Sequence, residues 1–271
     1  MRFVAPVREA VDPLVFSRPP LDAWSEYSAL LQGPVWPAVA QIGLAGANAQ
    51  HAGHAAMPQF AEQTPALLRD GLHYESRIAE RGQIATRAEN WHDLLNALVW
   101  LRYPAIKSAL NARQVAEIAV VGAKRRSRAQ YALTHFDEAG VIVQVGDPAL
   151  LDLWDAHDWH GLFWREREAW RDGRIRIEVF GHALLEHSLK PGTLLVGKAL
   201  AVAPCTHMPQ RLAAAVRAGT LLNDPLELRP LPLSGIVGWH DGNVHEEFYA
   251  ATPCFRARRA GRSYPSPTVL H

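Results

Sequence analysis

Residues 86–101 read TRAENWHDLLNALVWL and carry the clearest structural signal in the chain. The leucines of this stretch recur at three- and four-residue steps: Leu94, Leu95, Leu98 and Leu101. That period is typical of a helix that buries one face. Since proline interrupts a helix, Pro104 marks the boundary. The stretch therefore predicts a helix from about Asn90 to Tyr103.

Two residue pairs could cap the start of this helix. Asn90 is followed three residues later by Asp93, and Thr86 is followed in the same way by Glu89. Either pair would satisfy main-chain N–H groups of the first turn, and the spacing alone does not choose between them. Beyond the boundary proline, a second helix is expected over residues 104–121.

Outside this region, the sequence patterns predict further helices and several strands. Helical periodicity favours helices over residues 22–31, 182–189 and 209–218, and strand-like runs occupy residues 131–136, 141–145, 174–180 and 193–202. Residues 137–140, Asp-Glu-Ala-Gly, have the chemistry of a hairpin turn. We therefore predict an α+β protein in which helices predominate around a small sheet. It would form a single compact globular domain over 1–271, with a helical and loop region at 1–60 and a flexible tail at 256–271.

The composition excludes several classes of protein. Of the 271 residues, 48% are hydrophobic and 20% are charged, as in a chain that buries a core. A net charge of +1 creates no overall attraction to nucleic acid or to an anionic membrane. No secretory signal or membrane-spanning stretch is recognisable. Because only Cys205 and Cys254 are present, a disulfide framework is not expected, and we predict a soluble, cytoplasmic protein.

Four segments resemble motifs of a known family. They are residues 86–101, Phe136 to Gly140, Phe180 to Glu186, and Gly238 to Arg256. They are similar to the bacterial domain-of-unknown-function family 3025, over most of the chain from about residue 74. The resemblance implies a bacterial origin and no particular reaction.

The first candidate catalytic group lies on the predicted helix at 90–103. His92 and Asn96 are four residues apart and share a face that the leucines do not use, and Asp93 is adjacent. Such a set could bind a divalent metal or position a water molecule. The alternative is structural: Asp93 would cap the helix, and His92 would form a hydrogen bond to buried main chain.

A second candidate group would complete a metal site. His182 and Glu186 are four apart on another predicted helix, so an imidazole and a carboxylate could join His92 as ligands. The alternative is one hydrogen-bonded histidine and a surface glutamate. Asp137 and Glu138 could act as paired carboxylates, but turn formation is the interpretation that the hairpin favours.

Three arginines precede the same helix and could hold an anionic substrate. They are Arg77, Arg81 and Arg87. A forked guanidinium group binds phosphate or carboxylate well, and a helix N-terminus favours such anions. The alternative is that they pair with the glutamates nearby, which are Glu75, Glu80 and Glu89.

The leading hypothesis is a hydrolase-like, metal-assisted enzyme. Its substrate would be a small anionic molecule, such as a phosphoester. One alternative is a non-catalytic binding or scaffold protein whose polar residues fix the fold. Another is a nucleic-acid-binding protein that uses the basic residues at 124–128 and in the tail. The enzyme hypothesis requires His92 and His182 to lie within about 8 Å of each other beside a cleft.

Overall fold

The computed structural model describes residues 3–50, 57–122 and 124–271. Its helices are α1 (Ser28–Leu31), α2 (Val39–Gln50), α3 (Tyr74–Arg81), α4 (Trp91–Arg102), α5 (Pro104–Val121), α6 (Arg128–Ala139), α7 (Pro148–Ala156), α8 (Glu168–Arg171), α9 (His182–Ser188), α10 (Met208–Arg217) and α11 (Phe248–Ala251). Its strands are β1 (Gln59–Glu62), β2 (Gln83–Thr86), β3 (Gly140–Val145), β4 (Ile175–Val179), β5 (Val196–Val202) and β6 (Arg229–Pro232). The content of 51% helix, which includes short 3₁₀ and π segments, and 12% strand confirms the predicted α+β class.

The strands form two small sheets. The larger has the order β4-β3-β5-β6, in which β3 pairs antiparallel with β4 and parallel with β5. Strands β1 and β2 form a separate parallel pair, which the sequence patterns do not predict. Since β2 ends at Thr86, the chain leaves this pair and passes within a few residues into α4.

Helix α4 has the two faces that its sequence predicts. Leu95 and Leu98 are fully buried in the main apolar core, whereas His92 and Asn96 are only half-buried. Burying each leucine contributes about 1.5–3 kcal/mol. The Asn90 side chain accepts a hydrogen bond of 3.0 Å from the third main-chain N–H of the helix, so Asn90 is the cap.

The predicted hairpin at residues 131–145 is wrong. Helix α6 continues to Ala139, and β3 begins directly at Gly140. Ser127 and Gln130 form a capping box at the start of α6. The buried residues of this helix follow a helical step: Ala129, Ala132, Leu133 and Phe136. This apolar stripe outweighs the strand preference of single residues such as Tyr131. Asp137 and Glu138 therefore lie on the last turn of a helix.

The end of the chain packs on the rest of the molecule. Thr268 bridges to Val202 at the end of β5, and Leu270 is only 3% exposed. The mobility of the segment 256–271 and the division into one domain, with its N-terminal region at 1–60, stay predictions. In the described part of the chain, none of the helices has the length and apolar character that a membrane span requires.

Candidate metal centre

Two of the four family-like segments, Phe136 to Gly140 and Phe180 to Glu186, meet where α6 and β4 end. The Phe136 and Phe180 rings stack with centroids 4.9 Å apart. A Cβ atom on Gly181 would lie 2.5 Å from the Ala139 Cα, so only glycine allows this approach. The crossing places His182, the first residue of α9, beside the last turn of α6.

Three side chains from three helices converge there. The Nε2 atoms of His92 and His182 are 3.0 Å apart. The Glu138 Oε2 atom lies 3.5 Å from the His182 Nε2 atom and 3.8 Å from the His92 Nε2 atom. A point equidistant from these three atoms is about 2.0 Å from each, which is the length of a bond from zinc to nitrogen or carboxylate oxygen. The three residues form the one group in the described chain with metal-ligand geometry.

His92, Glu138 and His182 form a triangle whose third corner differs from the sequence prediction. Glu186 was expected to be a ligand, but its Oε2 atom lies 2.9 Å from the His92 Nδ1 atom, on the opposite side of the ring from His182. Metal-binding histidines commonly donate their second N–H to a carboxylate, which fixes the tautomer and the ring orientation. Glu186 therefore suits an orienting role, and Glu138 lies at the third corner of the triangle.

The two imidazoles have opposite protonation tendencies. The hydrogen bond to Glu186 raises the pKa of His92 above its ordinary value, with the nearby Glu138 carboxylate adding to the effect. Burial lowers the pKa of His182 to about 3. When His92 is protonated in the metal-free protein, it can donate one N–H to Glu186 and the other to a neutral His182. Metal binding would displace the proton between the two rings.

The remaining nitrogen of His182 faces the protein interior. The main-chain carbonyl of Asp137 lies near this ring and partly offsets the effect of burial, because it favours the protonated ring and so raises its pKa. However, no hydrogen bond of normal geometry reaches the buried Nδ1 atom from the described residues. The neutral ring that accepts at Nε2 carries its hydrogen on Nδ1.

A buried polar network lies beside the triangle. Lys107 is 3% exposed, and its Nζ atom donates to the Asn96 Oδ1 atom at 2.8 Å and to the Asp137 Oδ1 atom at 2.6 Å. Asn96 in turn donates to the Tyr74 hydroxyl at 3.0 Å. Burial alone would raise the pKa of Asp137, but the Lys107 ammonium and His182 outweigh it and hold that pKa below its ordinary value. Asn96, a predicted catalytic residue, thus belongs to this network.

Only one of the three predicted anion-binding arginines lines the cavity. The Arg87 guanidinium does so, and it donates to both oxygens of Asp93 at 2.7 and 3.1 Å. Arg77 is buried and paired with Asp70, so it is not available to a substrate. Arg81 is exposed at the end of α3, outside the cavity lining. Asp93, a predicted catalytic residue, therefore positions an arginine.

The cavity in front of the triangle has a volume of about 390 Å³. The His92 and Glu138 side chains are 31% and 42% exposed, so the centre is open to solvent. The expected convergence is confirmed, because the two imidazole rings are 4.4 Å apart and both line this cavity. Two arginines that the sequence interpretation assigned to nucleic acid, Arg125 and Arg126, also line it.

A buried carboxyl on the cavity wall gives a pH-dependent prediction. Burial raises the pKa of Glu75 above its ordinary value of about 4.5, although Asn111 donates to it at 2.6 Å. The folded protein thus binds this proton more tightly than the unfolded chain does, and stability falls as pH rises above 4.5. We expect Glu75→Gln to be more stable than the wild type at neutral pH, with a difference that disappears in acid.

Urea unfolding at neutral and acidic pH measures this difference. Glu80→Gln is the matched control, because Glu80 is exposed on the same helix. A wild type that is as stable as Glu75→Gln at neutral pH would contradict the prediction.

The comparisons with known proteins give one match. A family model with the description "Protein of unknown function (DUF3025)" matches residues 58–259, a range that includes the three residues of the triangle. No curated protein and no solved structure matches the chain.

Proposed function

We propose that this protein, which belongs to the family of proteins of unknown function DUF3025, is a metal-assisted hydrolase that acts on an anionic substrate. The observation that carries the proposal is the triangle of His92, Glu138 and His182 at the floor of an open cavity. Two imidazoles and one carboxylate are a ligand set of catalytic zinc sites, which keep a further position for water or substrate.

The surroundings of the triangle support a catalytic rather than a structural metal. A divalent ion with an open position lowers the pKa of bound water to about 7 and polarises an oxygen of the substrate. Glu186 would hold His92 in the tautomer that leaves Nε2 free for the metal. Non-haem Fe²⁺ uses a similar ligand set. The exposed arginines on the cavity wall, Arg125 and Arg126, support an anionic substrate.

Two other functions stay as alternatives. In a scaffold protein, the same polar residues would only fix the fold. In a nucleic-acid-binding protein, the basic residues near 124–128 and in the tail would contact phosphates. Our proposal includes a cytoplasmic location, because the free thiols of Cys205 and Cys254 suit a reducing compartment.

Titration of the metal-free protein with Zn²⁺ tests the proposal. We expect one ion per chain, and Glu138→Gln should weaken binding by at least about tenfold, because an amide replaces the anionic ligand. The matched control is Glu247→Gln, an exposed glutamate outside the cavity, which should bind Zn²⁺ as the wild type does. Absence of binding to the wild type, or equal binding by both variants, would exclude this metal centre.

A further inference from the structure

We propose that Arg125 and Arg126 form the anion-binding half of the cavity and that the substrate is a small phosphate monoester. Its dianionic phosphate would lie between these two guanidinium groups and the triangle of His92, Glu138 and His182. The inference rests on the proposed function, since it assigns a substrate class to the same cavity.

Both arginines are accessible to a ligand. Arg125 and Arg126 are exposed, and both line the cavity that holds the triangle. Neither forms an ion pair with a carboxylate among residues 3–50, 57–122 and 124–271. Their neighbour Arg128, in contrast, is paired with Asp224 at 2.5 Å and lies outside the cavity lining. The two guanidinium groups therefore keep their forked donors for a ligand.

With a divalent metal bound, most of the charges around the cavity would be balanced. Arg87 is neutralised by Asp93, and Lys107 is neutralised by Asp137. A divalent cation balances the carboxylates of the ligand Glu138 and of Glu186.

The remaining groups leave a positive surplus. Burial raises the pKa of Glu75, whose carboxyl group also accepts a hydrogen bond from Asn111. Arg125 and Arg126 contribute about two positive charges that no carboxylate pairs with among the described residues, and a phosphate monoester carries about −1.5 to −2 at neutral pH. A phosphodiester or a carboxylate, with a single negative charge, would balance only half of this surplus.

The size of the cavity also favours a small substrate. A cavity of about 390 Å³ lies in the range that holds small molecules, and it is too small for an extended polymer. The hydrolysis needs no further reactant than water. The water oxygen forms a bond to phosphorus, the bond from phosphorus to the alcohol oxygen breaks, and the alcohol leaves with a proton from the water.

Phenylphosphonate is a suitable probe, because it carries the dianionic head of a monoester and cannot be hydrolysed. Its methyl ester is the monoanionic counterpart. By calorimetry on the Zn²⁺-loaded protein at about pH 8, we expect the dianion to bind at least about tenfold more tightly than the ester. Arg125→Gln and Arg126→Gln should each weaken binding of the dianion about tenfold.

Lys124→Gln is the matched control, since Lys124 is exposed on the same loop and does not line the cavity. It should bind phenylphosphonate as the wild type does. Equal losses for all three variants, or none for the arginine variants, would overturn the inference. Binding of a short oligonucleotide that depends equally on Lys124 and the arginines would overturn it in favour of nucleic-acid binding.

The Zn²⁺ titration separates this inference from the proposed function. The arginine variants should bind Zn²⁺ as the wild type does, because neither arginine forms an ion pair or hydrogen bond with the triangle among the described residues. If the protein binds Zn²⁺ but neither arginine variant changes the affinity for phenylphosphonate, only the substrate assignment is refuted. Failure of the wild type to bind Zn²⁺ refutes the metal centre, whatever the arginine variants do.

Discussion

Replacing His92 with alanine is expected to lower the affinity for Zn²⁺ by at least about 100-fold, because loss of a ligand costs more than loss of an orienting partner. The same change should lower the stability of the metal-free protein by no more than about 1 kcal/mol. The imidazole is 31% exposed on the cavity wall, and alanine is a good helix former. Calorimetric titration and a melting curve in the presence of a chelator measure the two quantities.

The His92→Ala result discriminates between enzyme and scaffold. If the polar residues only fix the fold, the melting temperature of His92→Ala falls sharply, and Zn²⁺ does not change the melting temperature of either protein. His135→Ala is the matched control, since His135 is an exposed histidine on α6 outside the cavity. A variant that still binds Zn²⁺ like the wild type would contradict our assignment of His92 as a ligand.

Replacing Lys107 with methionine is expected to have the largest effect on stability, about 3 kcal/mol or more. Lys107 is almost completely buried, and the change would leave the Asp137 carboxylate without its ion-pair partner. Asp137 is 26% exposed, so we expect the lower end of the range for broken buried pairs. The melting temperature should fall by about 6 °C or more.

A double variant separates charge from packing. In Lys107→Met with Asp137→Asn the unpaired carboxylate is gone, and we expect at least about 1 kcal/mol of the lost stability to return. Lys198→Met is the control, because Lys198 is an exposed lysine on β5, and it should change stability by less than about 0.5 kcal/mol. An effect of Lys107→Met as small as that of the control would show that the ion pair does not stabilise the fold.

These two predictions assign different roles to adjacent polar groups. The network of Lys107, Asp137 and Asn96 is the part of the site whose geometry suits a structural role. The triangle of His92, Glu138 and His182 is more exposed to solvent, and its geometry suits metal binding. The scaffold alternative thus describes one half of the site well, and the metal proposal concerns the other half.

Much of the local structure could be predicted from residue spacing. The leucine period of α4 separates a buried face from a polar face that carries His92 and Asn96. The four-residue step on α9 puts His182 and Glu186 on one side, and in the structure both contact the His92 ring. Such features depend on neighbours within one or two helical turns, so the sequence of the element itself is sufficient.

The ligand position of Glu138 could not be predicted from the strand preferences of residues 131–136. The capping box of Ser127 and Gln130, and the helical step of the apolar residues that follow, are the signals that would have placed Glu138 on a helix. Even so, a correct helix would not have shown that its last turn meets His182.

Residue spacing was sufficient to predict helix α4, the polar faces of α4 and α9 and the α+β class, because local periodicity specifies which side of an element is buried. The packing of distant elements places Glu138, and not Glu186, at the third corner of the triangle, and it pairs Arg77 with Asp70 while Arg125 lines the cavity. The physical reason is that these contacts join distant parts of the chain, where the packing angle of one helix against another sets which atoms meet.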